Sequence, residues 1–306
     1  MGNLNLTKQV YQYNSFGLNI TSEICFPELF VTTFNGCGDV QIGIGNLTEL
    51  WNKKVTSNSQ VFVEKNLVLF KIPNLSIFCI KNSNSIIFSP ELGADQDKIR
   101  LYLLGTCMGT LLLQKKILCL HGSAVAIDGK AYAFVGDSGA GKSTIAAAFA
   151  LKNFQLISDD VIAINFDNQD KPLVMPSYPQ QKLWEESLIC FGMNSINYKP
   201  LFERETKYAV PVKNPIIVPI PLAGIIELSA IENESSIRYE SLDGLHRVQT
   251  LFQHTYRSSF IRRLKLSDWH FRETVKLINR IQMSKLSRPT QQFTVHEMVS
   301  IVLKNI

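Results

Sequence analysis

The chain has 306 residues, 45% of them hydrophobic and 19% charged, and a formal net charge of +5. That composition supplies a sizeable core and excludes global disorder. The charge is mild and no run of Lys or Arg is long, which excludes a nucleic-acid-binding stripe and leaves an ordinary surface with a weak preference for acidic partners.

The start, Met1-Gly-Asn-Leu-Asn-Leu, has no basic region followed by an apolar core, so it does not read as a signal peptide, and Leu6 stands where a myristoylation motif needs Ser or Thr. Asp39 to Ile44 alternates as a half-buried strand does. Val61-Phe-Val-Glu, Leu67 to Ile72, Ser76 to Ile80 and Ser85 to Phe88 predict four more strands, separated by Asn-containing turns. Residues 1–94 are therefore predicted to form a β-rich N-terminal domain. Its role is structural or, if an edge strand is open, recognition of a partner polypeptide by strand addition.

Residues 95–306 are predicted as the second domain, of α/β class. It opens on a long helix from 95 to 118 that begins with Asp95 and Asp97, acids suited to a positive helix end. Within it Leu101 to Leu113 is the most apolar segment, too short to span a bilayer and expected to be buried. Leu118-Cys-Leu-His121-Gly122 leads into a strand, Ser123 to Ile127, and Asp128-Gly129 signals a hairpin. Lys130 to Val135 is the returning strand, Ser143 to Lys152 an alanine-rich helix, and Phe154 to Ile164 an apolar strand interrupted by Asp159 and Asp160. Pro176 to Leu188 reads as a proline-broken loop entering a helix. Leu222 to Leu228 reads as a buried strand, and Asp243 to Phe260 and Asp268 to Leu286 as helices. Gln291-Gln-Phe-Thr and a helix from Val295 to Leu303 close the chain. The six cysteines, Cys25, Cys37, Cys79, Cys107, Cys119 and Cys190, form no C-x-x-C pair and read as buried free thiols of a cytoplasmic protein.

The stretch that carries chemistry is Gly136-Asp137-Ser138-Gly139-Ala140-Gly141-Lys142-Ser143-Thr144, which fits G-x-x-x-x-G-K-[ST] between a strand and a helix. Glycines let backbone N–H groups wrap phosphate oxygens at a helix N-terminus; Lys142 would reach the terminal phosphates and the Ser143 hydroxyl would bind Mg²⁺. The plain alternative is a glycine-rich turn. Asp159 and Asp160 then supply one acid to hold Mg²⁺ and one to take a proton, provided a local bend turns both to the same side, since neighbours on a strand face opposite ways. Otherwise one is a solvated turn residue. His121, beside an acid, could orient or share that proton; alone it would be structural. Lys182, Lys207, His254, Tyr256 and Arg257 are candidates for contacting substrate phosphate or other anionic groups, or else surface and packing residues.

Leu120-His121-Gly122-Ser-Ala-Val-Ala-Ile127, the loop to Ser143, and Leu156-Ile-Ser-Asp159-Asp160 together resemble the catalytic domain of HPr kinase/phosphorylase. The resemblance covers roughly residues 115 to 165. It implies a nucleotide-binding core related to that of phosphoenolpyruvate carboxykinase and phosphorylation of a serine hydroxyl on a protein. It also implies ATP and Mg²⁺ as cofactors, His121 paired with the acids, one of Asp159 and Asp160 as base, and Ser143 and Asp160 at the metal. In place of that family's glycine-rich segment stands Tyr178-Pro-Gln-Gln-Lys182-Leu-Trp184. This looks like the HPr-kinase-like proteins of peptide biosynthetic clusters, including the kinases that phosphorylate the C-terminal serine of lasso-peptide precursors. The resemblance thus implies a peptide or protein substrate. An HPr kinase/phosphorylase, a small-molecule kinase and a non-catalytic nucleotide-binding regulator stay open beside it, as does a homo-oligomer.

Overall fold

The computed structural model describes residues 9–56, 59–201, 204–212, 214–232, 236–290 and 292–306. The segment Met1–Leu6 and residue Gln291, both read above, lie outside them. The chain divides into two compact units, 1–115 and 116–306. The long helix expected to open the second unit belongs to the first, so the division falls about twenty residues later than the composition suggests.

In the first unit β1 (Tyr11–Ser15), β2 (Leu18–Ser22) and β3 (Val40–Ile44) precede helix α1 (Thr48–Lys54). Next come β4 (Val61–Glu64), β5 (Leu67–Ile72), β6 (Ser76–Lys81) and β7 (Ser85–Pro90), then α2 (Gln96–Tyr102) and α3 (Met108–Gln114), joined by a π-helical stretch, Leu103–Cys107. All five expected strands form, and β1 and β2 extend the sheet to the order β1-β2-β3-β7-β6-β5-β4. Period-two alternation sorts its side chains. Leu69, Ile77 and Cys79 pack with Leu50 and Trp51 of α1, whereas Phe70 and Phe78 stack on each other and against Tyr102. Covered on both faces, β6 reads as an apolar run. Asp95 caps α2 by accepting from the Lys98 N–H at 3.0 Å.

The second unit runs β8 (Leu118–Ile127), β9 (Lys130–Gly136), α4 (Lys142–Leu151), β10 (Gln155–Phe166), β11 (Pro172–Met175), β12 (Gln180–Trp184) and α5 (Glu185–Cys190). It continues with β13 (Lys199–Leu201), β14 (Arg204–Pro211), β15 (Ile220–Ile231), β16 (Arg238–Ser241), α6 (Gly244–His254), α7 (Ser259–Arg263), α8 (Ser267–Ile278), β17 (Gln282–Pro289) and α9 (Val295–Asn305). The main sheet has the order β11-β10-β8-β9-β15-β17-β16, with β9, β15 and β17 parallel. A further pairing of Val174 with Ile220 joins β11 to β15 and closes five of the strands into a ring. Helices α4 and α9 cover one face through Ile145, Phe149, Val299 and Val302. Helices α6 and α8 cover the other through Leu251 and Leu277. A small sheet, β12-β14-β13, is inserted between β11 and β15 and packs on α4 through Leu183, Val210 and Ala147.

Three expectations change here. Gln180 to Trp184 is a strand, not a loop, because it pairs antiparallel with β14. The helix from 243 stops at His254, since Thr255 bridges to Leu120 of β8 and the Tyr256 N–H donates to the Cys119 carbonyl at 2.8 Å. Gln282 to Leu286 is the start of β17, drawn into register beside β15. The cysteines are all free, but only Cys79, Cys107 and Cys119 are buried; Cys25, Cys37 and Cys190 are exposed. Among the described residues no helix is long and apolar enough to cross a membrane.

Candidate functional site

Strand β9 ends at Gly136, and the loop to Gly141 delivers the chain into α4. Gly136 has φ +148° beside the neighbouring strand, and a Cβ there would lie 2.5 Å from the Leu228 carbonyl oxygen, so only glycine fits. Helix α4 starts at Gly141 with no side-chain cap and no acid in its first turn, which leaves its N-terminal N–H groups for an anion. Lys142 is buried. Its Nζ donates to the Gly136 and Asp137 carbonyls at 2.8 and 2.9 Å. Burial, then the charge of Lys207, lowers its pKa from the ordinary lysine value, against the pull of Asp159, Asp160 and Asp137.

Asp159 turns toward this loop, and Asp160 toward Lys182 and His121. Asp160 has φ +75°, a left-handed backbone, and the pairing with β8 shifts register between Leu156 and Ser158, ahead of both acids. That is the bend the acid pair requires. Asp159 is buried, and its Oδ1 accepts from Ser123 at 2.5 Å and from Ser143 at 2.9 Å. Its Oδ2 accepts from the Lys182 backbone N–H at 2.8 Å, while the Lys182 Nζ donates to Asp160 Oδ2 at 2.7 Å. One residue of β12 therefore grips both acids. His121 Nδ1 lies 3.1 Å from the Asp160 carbonyl oxygen and 3.4 Å from its Oδ1, a spacing that fits Nδ1–H donating.

Burial alone would raise the Asp160 pKa, but Lys182 and then His121 hold it well below the usual carboxylate range. Burial alone would lower that of Lys182, but Asp160 holds it well above the usual lysine range. Buried Tyr178 and Tyr256 flank the pair, the Lys182 Nζ lying 5.9 Å from the Tyr178 ring and Tyr256 packing 6.0 Å from His121. Burial, reinforced by Asp160, pushes the Tyr256 phenol up.

The other expected residues fall around this cluster. Arg257 is exposed, with its guanidinium 5.4 Å from the Tyr256 ring. Lys207 lies opposite Trp184 in the small sheet, 5.2 Å from the indole. His254 is not brought to the cluster's surface: it is buried, and its Nε2 meets Glu227 Oε1 at 3.1 Å. Ser143 bonds to Asp159, not to Asp160, so the hydroxyl and acid that would share a metal are Ser143 and Asp159. Sequence reasoning missed Ser123, Gln181 (which donates to the Ser143 carbonyl at 2.9 Å) and Gln253 (which donates to Asp137 Oδ1 at 3.1 Å). No local motif marks them; register and helix ends place them. A separate cavity of about 480 Å³, lined by Ala126, Phe154, Pro215 and Ile217 among others, opens at the β8–β9 hairpin, at the end of β9 away from the loop.

Two substitutions test this framework. Gly122 lies opposite Asp160, and a Cβ there would collide with the Phe134 carbonyl oxygen. Gly122→Ala is expected to destabilise the protein by about 3 kcal/mol, the scale of core overpacking, read from urea unfolding. Lys182→Met leaves the Asp160 charge without its cation, and breaking a buried pair costs roughly 3–5 kcal/mol. The depressed Asp160 pKa fixes the pH sense. In the wild type its contribution is complete above the unfolded value, about pH 4, and is lost as pH falls through the lower folded value. In Lys182→Met burial is no longer opposed by the lysine, so the folded Asp160 pKa rises, and stability, lower at neutral pH, is expected to fall less on acidification than in the wild type. Coincident acid-unfolding curves would show that the pair is not formed.

The arrangement is a glycine-rich loop between β9 and α4 with a hydrogen-bonded pair of acids nearby. No family model matches the sequence, and no curated protein matches it. Among solved structures 93 chains match. One is the structure of the HPr(Ser) kinase/phosphatase from Coxiella burnetii, 13% identical over 61% of this chain and 94% of that chain, with a TM-score of 0.33.

Proposed function

We propose that this chain is an ATP-dependent kinase that transfers the γ-phosphoryl group to a serine hydroxyl of a peptide or protein. The acceptor that its sequence resemblance favours is the C-terminal serine of a lasso-peptide precursor. The observation that carries the reading is the grip of Lys182 on both acids, one of which is bonded to the loop serine. It supports a division of labour between the two carboxylates. Free thiols fit a reducing, cytoplasmic setting.

The phosphates lie against the backbone N–H groups of the loop and the uncapped start of α4, and Lys142 exchanges its two carbonyl partners for phosphate oxygens. Ser143 and Asp159 offer a hydroxyl and a carboxylate. Such oxygen donors suit Mg²⁺, so Ser143 and Asp159 would be the residues that hold it. Bound there, Mg²⁺ supplies charge neutralisation for the phosphates. Asp160, kept ionised by Lys182, accepts the serine proton as the serine oxygen bonds to the γ-phosphorus and the bond to the bridging oxygen breaks, releasing ADP. His121 orients the Asp160 carboxylate. Lys182, Lys207 and Arg257 provide cations for the acceptor's carboxylate or the transferring phosphate.

The test is incubation with ATP, Mg²⁺ and a precursor peptide ending in serine, then with the same peptide ending in alanine. Mass spectrometry is expected to find an added phosphate only on the first. Arg257→Ala is expected to reduce peptide phosphorylation more than ATP binding. Equal labelling of both peptides would exclude the terminal serine, and label passing only to water would leave an ATPase.

A further inference from the structure

The residue that none of the preceding argument uses is Arg288, on β17. Strand β17 lies beside β15, which in turn lies beside β9, and the register sets Leu286 against Leu228 and Leu228 against Gly136. Leu286 belongs to the core under α4, so alternation puts Arg288, two residues on, over the same face and past the end of β9. There it reaches the loop. Its Nη2 lies 3.4 Å from the Gly139 carbonyl oxygen, and its Nε is 3.9 Å from where a Cβ would stand on Gly141. Nη1 donates to the Pro289 carbonyl at 2.9 Å.

A guanidinium carries five N–H donors and a charge that cannot be shed. Two of these donors meet carbonyl oxygens, and among the described residues no carboxylate faces the group. Burial depresses its pKa, and no acid opposes that effect. A half-buried cation without an anion is costly unless the anion arrives with a ligand. The loop that Arg288 leans over is the one that leads into the uncapped start of α4, proposed above to hold the phosphates.

We propose that Arg288 is a binding residue for the polyphosphate of the nucleotide, a fixed fork that closes over the middle of the loop from the strand side while Lys142 serves it from the helix side. This rests on the nucleotide reading above. The competing role is structural, a brace that holds Gly139 in place through its carbonyl.

Isothermal titration of the full chain with Mg²⁺ plus ADP, and with adenosine as an uncharged probe, separates the two. Arg288→Gln is expected to weaken ADP binding roughly 10- to 100-fold, the scale of charge-assisted hydrogen bonds, and to leave adenosine binding unchanged. The salt dependence of ADP affinity should flatten with it. Equal ADP affinity in wild type and variant, or equal losses for ADP and adenosine, would overturn the proposal. If Arg288→Gln does not fold, Arg288→Lys is titrated instead. A lysine keeps the charge but not the fork, so about a tenfold loss is expected, and wild-type affinity would again overturn it. A wild type that binds no ADP at all would sink the kinase reading itself, an outcome distinct from either of these.

Discussion

Replacing Lys142 by alanine is expected to abolish detectable phosphoryl transfer while the protein stays folded. On the proposed function, the charge of this buried lysine would act on oxygens whose negative charge grows in the transition state. Losses of one such group run to several kcal/mol, or 10²- to 10³-fold and more in rate. The fold survives because the partners of Nζ are two loop carbonyls, not core groups. Burial already lowers the pKa of this ammonium, so its removal relieves a desolvation cost in the free protein. Thermal melting of Lys142→Ala should therefore match or exceed that of the wild type. Single-turnover transfer at wild-type rate from the folded variant would remove the loop from the chemistry.

The second large effect is expected from the acids, and the two should fail differently. Asp160→Asn is nearly isosteric and would remove the carboxylate proposed to accept the proton. Transfer should fall by roughly 10² or more with ATP affinity preserved, since the loop is untouched. Asp159→Asn changes the partner of Ser143, Ser123 and the Lys182 N–H together. Its expected signature is a raised Mg²⁺ requirement, seen as activity that recovers at high Mg²⁺, together with a measurable loss of stability. Full activity in both variants would mean that neither carboxylate handles the proton. If Asp160→Asn alone shifted the Mg²⁺ requirement, the roles assigned here would be exchanged.

The parts of this site that were legible in the sequence are those set by local spacing. The loop's glycines, lysine and serine lie within nine residues, between a strand and a helix whose patterns are plain, and the adjacent acids required a bend that Asp160 makes with its left-handed backbone. What escaped is set by pairing at long range. Lys182 read as a loop residue because Pro179 and its polar neighbours signal a turn; its strand exists only through β14, more than twenty residues on. Gln282 to Leu286 lacks β-branched residues and continued a helical pattern, and parallel alignment with β15 overrides that preference. The same alignment carries Arg288 to the loop, and nothing near it in sequence announces that. His254 was read as a candidate for contacting anionic groups, but it ends α6 and the apolar face of that helix turns it inward to Glu227.

The pairing of Val174 with Ile220 has an architectural meaning. The chain leaves the ring of strands at Met175 and rejoins it beside the point of departure, so residues 176–219 form a side branch whose two roots touch. Such a branch can lengthen, shorten or be exchanged without reopening the ring. Its inner part is tied to the loop and to α4: Gln181 and Lys182 bond to Ser143 and to both acids, β14 holds β12 in register, and Ser187 and Leu188 of α5 meet α4. On the function proposed here, a new acceptor could be acquired by changing the part of the branch around β13, outside these contacts, while the loop stays unaltered.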